Sequence, residues 1–388
     1  MKVIFLSTFK FPNGDAGSLR YSFLSKLFRK KGYTPYFIGK GETSINTYTS
    51  GEYGFYTSLK SNNNCLLAKV FDTLVGFERK IVKEIKKISN TDDIIVITCF
   101  FSKTTNKKII TFAKKRNIKV VFAVEEKFSK SEFRKFDLIS LFGFRKCNSF
   151  YKNIKYYNKP IIAISSYIGE FAEKANVPFL VIPFVYDEDL IVQIKAQRPS
   201  ALLKFFYAGS PGKKDLLPIM IEGFDMLPIE CKKRIRVNIF GIDEQNATTC
   251  ISRELFERTK YFISFHGIVG RKQINEEIVN SDFSVLLRDC DEEFAKAGFP
   301  TKVVESLFYG VPVISNLSSD LGLYLVDKFN SIIVNGFDKK AFCESVETAI
   351  NMSQNNLKQL KKNARETAIN RLTTNCFAKM FNDFLLKL

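Results

Sequence analysis

The stretch AGFPTKVVESLFYGVPVI, residues 297–314, places Gly298, Phe299, Pro300, Thr301 and Lys302 ahead of a run with one carboxylate, Glu305. Pro300 suits the first turn of a helix, because the N–H that it lacks would find no partner there. Gly298 allows backbone to approach a ligand closely. A helix opening near residues 299–301 offers unpaired N–H groups and the positive end of its dipole, a seat for phosphate. Lys302 adds a full charge. Glu305 lies one turn further along, on about the face of Thr301. A carboxylate there is ill-suited to phosphate, but it can accept hydrogen bonds from two vicinal hydroxyls such as those of a ribose. Phosphate at the tip and ribose one turn along is the spacing of a nucleoside diphosphate. The plainer alternative is an amphipathic helix whose one acid is solvated.

Other segments carry weaker signals. In YAGSPGKKD, residues 207–215, a glycine turn with two lysines follows an apolar run. Gly209 and Ser210 bring backbone close, and Lys213 or Lys214 suits a pyrophosphate. The loop at residues 11–18 contains Gly14 and Gly17, which a tight turn explains almost as well. His266, beside Gly267, is the one histidine of the chain, and a hydrogen-bonded structural role fits it better than that of a general base. Glu125 and Glu126 follow an apolar run. One of them could orient a hydroxyl, with a solvated loop pair as the equal alternative.

The elements that must position these residues alternate. Strands are expected at residues 3–7, 34–38, 94–98 and 120–124, with strand-like runs at 138–141, 160–165 and 179–183. Helices are expected at 19–31, 66–89 and 105–116, and a polar loop at 43–64. The pattern restarts after residue 190, with strands at 204–208, 236–240, 261–266, 283–287, 311–315 and 331–334. Helices are expected at 216–226, 273–280, 301–309, 339–352 and 355–388. Such alternation argues for parallel sheets covered on both faces. The expected fold is α/β, with two Rossmann-like doubly wound domains, 1–190 and 191–370, facing a cleft. The boundary is expected within residues 185–201. Ligands bind beyond the carboxyl ends of strands in open parallel sheets, so the loops named above belong in that cleft.

At 388 residues with 45% hydrophobic content, the chain can fill two cores. No apolar run approaches the roughly 18 residues needed to span a bilayer. The run at residues 1–7 is too short for a signal peptide, which points to a cytoplasmic protein. Eight scattered cysteines without a Cys-x-x-Cys pair suggest reduced thiols, neither a disulfide frame nor a zinc site. A lone histidine gives no His-based metal centre. The net charge of +19 is one-sided: residues 1–160 hold 31 Lys and Arg against 12 Asp and Glu, and the rest holds 28 of each. Such asymmetry suits an anionic partner, such as a membrane surface, a phosphorylated lipid or nucleic acid. Without a recognition module or regular aromatic–basic interleaving, nucleic acid is not expected.

The stretch 297–314 resembles the carboxyl-terminal motif of the retaining family 4 glycosyltransferases with the GT-B fold. There a Glu, seven residues and a second Glu span a Gly-Phe-Gly-like turn and the following helix. Glu305 matches the second Glu, which contacts the nucleotide ribose; the first, which holds donor-sugar hydroxyls, falls at Ala297, with Glu292 and Glu293 close by. Gly-Phe-Pro-Thr-Lys followed by Glu305 also looks like a subset that makes surface polysaccharides. Residues 207–215 resemble the family's Gly-Arg…Lys-Gly segment, whose cations neutralise the departing diphosphate. Ser210 stands at the Arg, Lys213 or Lys214 at the Lys, and Lys302 or Arg288 can supply the missing charge. Gly14 and Gly17 look like the amino-terminal loop that closes over the donor. His266 and Gly267 resemble the segment that reads the base, and Glu125 or Glu126 stands where the family often has a first-domain His.

The resemblance implies transfer of a sugar from a UDP- or GDP-sugar to a hydroxyl acceptor with retention, with no metal and no further cofactor. It also implies that residues 371–388 form a helix returning to the first domain. A basic first domain would lie on the anionic inner face of the cell membrane, near a lipid-linked acceptor, with residues 79–87 as the contact. A non-catalytic GT-B partner subunit that binds nucleotide is the alternative, motivated by Ala297 and Ser210.

Overall fold

The computed structural model describes residues 1–11, 16–39, 48–59, 77–132, 138–190, 201–209 and 214–388. The chain forms two compact units, Met1–Val185 with Thr374–Leu388, and Tyr186–Thr373. Each is built on one sheet.

The first unit contains β1 (Lys2–Leu6), β2 (Thr34–Gly39), β3 (Thr49–Gly51), β4 (Gly54–Ser58), β5 (Ile94–Thr98), β6 (Lys119–Val124), β7 (Ile161–Ala163) and β8 (Phe179–Val181). The order across the sheet is β3-β4-β2-β1-β5-β6-β7-β8, parallel except for β3. Strands β1 and β5 are wholly apolar at their centres and buried, as a sheet covered on both faces requires. Order reverses between β1 and β5, so the loops after these strands open the crevice where such sheets take ligands. Right-handed crossovers put the helices Phe77–Ile88, Lys103–Lys115 and Leu138–Tyr157 side by side on one face. The helix Ala16–Arg29 packs on the other face with Thr374–Leu385, where Phe28 meets Phe381 edge-on at 4.8 Å.

The second unit contains β9 (Leu203–Ala208), β10 (Ile235–Phe240), β11 (Ile263–Phe265), β12 (Phe283–Leu286), β13 (Val313–Ser315) and β14 (Ser331–Ile333), in the order β11-β10-β9-β12-β13-β14, all parallel. Its core joins Phe205, Phe224, Phe283 and Phe342. Here order reverses between β9 and β12.

Three expectations are corrected. Residues 138–141 are not a strand but the opening of the helix Leu138–Tyr157. A four-residue apolar run cannot distinguish the two, and the helical spacing of buried Phe150, Ile154 and Tyr157 decides it. The polar loop at 43–64 contains the antiparallel pair β3–β4, in which β4 gains a parallel partner in β2. Its Gly54 has φ +152°, and a side chain there would strike the Pro35 carbonyl. Residues 355–388 are two helices, Gln354–Arg371 and Thr374–Leu385, broken where the chain leaves the second unit. At the break the Leu372 carbonyl accepts from the Tyr186 N–H at 2.7 Å, so entry and exit of that unit are tied together. The expected helix at 66–89 is described from Phe77 onward; its earlier residues lie outside the described ones.

Candidate functional site

Residues from three elements meet at the carboxyl ends of β9 and β12. Asp215, in the loop after β9, is buried. Its Oδ1 accepts from Arg288 Nε at 3.1 Å, just past β12. Its Oδ2 accepts from Tyr207 Oη at 3.1 Å and from Lys302 Nζ, on the helix Thr301–Phe308. Burial alone would push this carboxyl up. The ammonium of Lys302 and then the guanidinium of Arg288 outweigh it and hold Asp215 at about 2. Lys302 is itself lowered by burial, against the pull of Asp215. Burial, helped by Arg288, brings Lys214 down to about 8, with Asp215 opposing.

Glycine at 209 has a steric reason. A Cβ there would lie 2.8 Å from Tyr207 Oη and 2.9 Å from Lys302 Cε, so a side chain would displace the lysine. Arg288 is fastened along its length. Its N–H donates to Asn316 Oδ1 at 3.0 Å, its carbonyl accepts from Asn316 Nδ2 at 2.7 Å, and its Nη1 reaches the Gly298 carbonyl at 3.4 Å. Phe299 is buried against the edge of Tyr324 at 5.6 Å. Pro300 occupies the N-cap with extended backbone and offers no side-chain cap, so the first amides of the helix have no partner within it. A short helix, Glu293–Ala297, precedes this turn and buries Ala297 completely.

Glu305, one turn inside the helix, is buried and accepts from Arg271 Nη2 at 2.6 Å. Burial would lower the Arg271 guanidinium, but Glu305 and then Tyr186 keep it more firmly charged than usual. The opening of β11 into its loop carries His266, whose ring stacks on Phe240 at 4.5 Å and whose Nε2 lies 3.0 Å from Asn238 Oδ1. Gly267 has φ +69°, and its carbonyl accepts from Gly241 N–H at 2.7 Å.

The structure thus brings Gly209, Lys214, Arg288, Gly298 and Lys302 around Asp215, with Phe299, Pro300, Thr301 and Glu305 on the turn and helix alongside. His266 and Gly267 lie on a separate loop, between β11 and the helix Arg271–Val279. Gly14, Ser210 and Lys213 lie outside the described residues. Sequence spacing alone assigns no role to Asp215, Tyr207 or Arg271. The acid directly after two lysines in a post-strand loop was the available signal for Asp215. Arg271 opens a helix after Gly270, and only the fold sets it beside Glu305.

In the first unit, Glu125 follows β6 and is buried next to Arg20, Tyr21, Thr98 and Cys99. Burial raises its carboxyl to about 7, against the pull of Arg20. Arg20 donates to the carbonyls of Pro183 at 2.7 Å and Ile182 at 2.9 Å. Among the described residues, its Nε, Tyr21 Oη and Glu125 Oε1 are buried and lack a hydrogen-bond partner of good geometry. No helix among the described residues is long and apolar enough to cross a membrane.

Residues 194–367 match the family model described as glycosyl transferases group 1. No curated protein matches the chain. Sucrose-phosphate synthase of Thermosynechococcus elongatus is similar in structure, with TM-score 0.74 at 11% identity over 100% of this chain and 98% of that one. A glycosyltransferase of Rickettsia africae gives 0.65 at 14% over 99% of both chains. HepE of Anabaena, in complex with UDP-glucose, gives 0.67 at 14% over 100% of both. At these identities the likeness is one of fold. Residues 194–367 are thus similar to a group 1 glycosyltransferase domain, and the chain has an α/β fold of the GT-B type.

Proposed function

We propose that the chain is a retaining glycosyltransferase. It would move a sugar from a nucleotide diphosphate donor to a hydroxyl of a lipid-linked saccharide, in cell-surface polysaccharide synthesis. The observation that carries this reading is the convergence of Lys214, Arg288, Lys302 and an uncapped helix start at the switch point of the second sheet. Cations and backbone amides at one point suit a diphosphate better than any neutral ligand. Glu305 has one oxygen on Arg271, and its other oxygen is the candidate acceptor for ribose hydroxyls. HepE, similar in fold, holds UDP-glucose, and in another crystal UDP and glucose. Such a donor is proposed for the carboxyl ends of β9 and β12 here.

In the proposed reaction the bond from the anomeric carbon to the diphosphate oxygen breaks, and the electron pair leaves with the nucleotide. Lys214, Arg288, Lys302 and the helix dipole stabilise that charge. The acceptor oxygen bonds to the anomeric carbon on the same face, and its proton passes to the departing phosphate oxygen. Lys213 is proposed as a further cation of this loop. Fixed cations do the work that a metal does elsewhere, so none is proposed. Glu125 is proposed to orient the acceptor hydroxyl, and Gly14 is proposed as a donor-binding residue. Gly267 and His266 present backbone to the base.

The basic first unit is proposed to rest on an anionic membrane. Helix Phe77–Ile88 exposes Arg79, Lys83, Lys86 and Lys87, while its two acids are turned inward. Glu78 pairs with Lys146 at 2.6 Å, and Glu84 accepts from Tyr48 Oη at 3.2 Å and Lys87 Nζ at 2.8 Å. The neighbouring helix Lys103–Lys115 contains no acid at all. Surface charges of one sign on adjacent helices favour an anionic lipid face.

The test is incubation with a panel of UDP- and GDP-sugars and polyprenyl diphosphate-linked saccharide. Product with the donor's anomeric configuration is expected. Nucleotide binding with neither transfer nor donor hydrolysis would instead make the chain a non-catalytic partner, the reading that buried Ala297 favours.

A further inference from the structure

A carboxylate at the centre of a diphosphate site is unexpected, because it opposes the ligand. We infer that Asp215 is a positioning residue that holds Arg288 and Lys302, cations from two other elements, in the places from which they meet the donor diphosphate. The inference rests on the donor reading above.

The geometry shows how. Both oxygens of Asp215 are occupied by fastening: Oδ1 by Arg288 Nε, and Oδ2 by Lys302 Nζ and Tyr207 Oη. The arginine is gripped by its Nε, so its Nη edge points onward, with Nη1 at the Gly298 carbonyl beside the helix start. A lysine has three donors. Lys302 gives one to Asp215 and one to Tyr207 Oη at 3.4 Å, which leaves a third for ligand. Gly209 leaves room for the lysine to cross the end of β9. Residue 210 is a serine, so the loop after β9 brings no arginine at that position. Arg288 and Lys302 come from beyond β12 and from the helix, and need a common anchor. Among the described residues, Lys214, Arg288 and Lys302 against Asp215 leave a net charge of two, which suits a diphosphate.

The groups facing Lys302 are Tyr207 from β9, Asp215 from the following loop, Arg288 from the end of β12, and Glu305 from its own helix, while Lys214 faces Asp215 and Arg288. With the charge of Asp215 removed, Lys302 and Lys214 keep their desolvation and their repulsion by Arg288, and lose the group that opposes both. Each then sheds its proton at lower pH.

The experiment measures UDP and GDP affinity by calorimetry, transfer kinetics and unfolding temperature across pH, for the wild type, Asp215→Asn and Asp215→Glu. Asp215→Asn keeps the shape. It should bind the preferred nucleotide about tenfold more weakly, and its loss of binding on the alkaline side should begin about one pH unit lower. Asp215→Glu should move that limb back towards the wild type. An Asp215→Asn protein with the wild-type limb and affinity, or with only a lower unfolding temperature, overturns the inference while the donor reading stands. A wild type that binds neither nucleotide overturns both.

Discussion

Replacing Glu305 by alanine separates a ribose ligand from a structural acid. Glu305 is buried, and one oxygen is held by Arg271 at 2.6 Å. If ribose hydroxyls donate to this carboxylate, each such bond to a charged acceptor contributes about 1.5–3 kcal/mol. One such bond lost lowers UDP affinity roughly 10- to 150-fold. The cost to folding is smaller, because the side chain of Arg271 is 48% exposed and can turn to water. An ion pair so placed contributes at most about 1 kcal/mol. Inorganic pyrophosphate has no ribose and supplies the control. Calorimetry should show Glu305→Ala losing UDP affinity by that factor while pyrophosphate affinity stays within about twofold. Equal losses for both ligands, or an unchanged UDP affinity, would refute the ribose role.

Two further outcomes follow from buried charges. Lys214 sits at about 8, lowered by burial and Arg288, so donor affinity should fall as pH rises through that value while Lys214 loses its proton. Calorimetry in buffers of different ionisation enthalpy should then register proton uptake on UDP binding near that pH; its absence would exclude Lys214 from the diphosphate site. Glu125 has its carboxyl raised by burial to about 7. Between its unfolded value and about 7 the folded chain keeps a proton that the unfolded chain has lost, so stability declines as pH climbs through this window. Glu125→Gln cannot ionise, so it should be up to about 3 kcal/mol more stable than the wild type at alkaline pH. Near pH 5 the difference should be small, and thermal unfolding at both pH values checks it; equal stability at alkaline pH would contradict the burial cost.

Apart from β3 and β4, the strands of both sheets were legible: β1, β5, β9 and β12, for example, are short apolar runs between polar turns, the pattern that a doubly covered parallel sheet imposes. Residues 138–141 misled because an apolar quartet opens a buried helix as readily as a strand. The β3–β4 pair was hidden because its residues are polar and glycine-rich, and tertiary pairing with β2 stabilises β4. At the site, local spacing was enough to pick out the turn at Gly298–Pro300 and the acid one turn on. It could not show that Lys302 lies across the end of β9, or that Asp215 joins it to Arg288. Those contacts span 87 and 73 residues of sequence. No local pattern encodes them.

The central claim is that the start of the helix Thr301–Phe308, with Arg288 and Lys302, holds a diphosphate. A crystal structure of the chain with UDP or GDP tests it most directly. The β-phosphate should lie within hydrogen-bond distance of the Thr301 or Lys302 amide and of the Arg288 Nη edge, with the ribose against Glu305. A nucleotide bound elsewhere, or one whose phosphates turn away from that helix start, would contradict it.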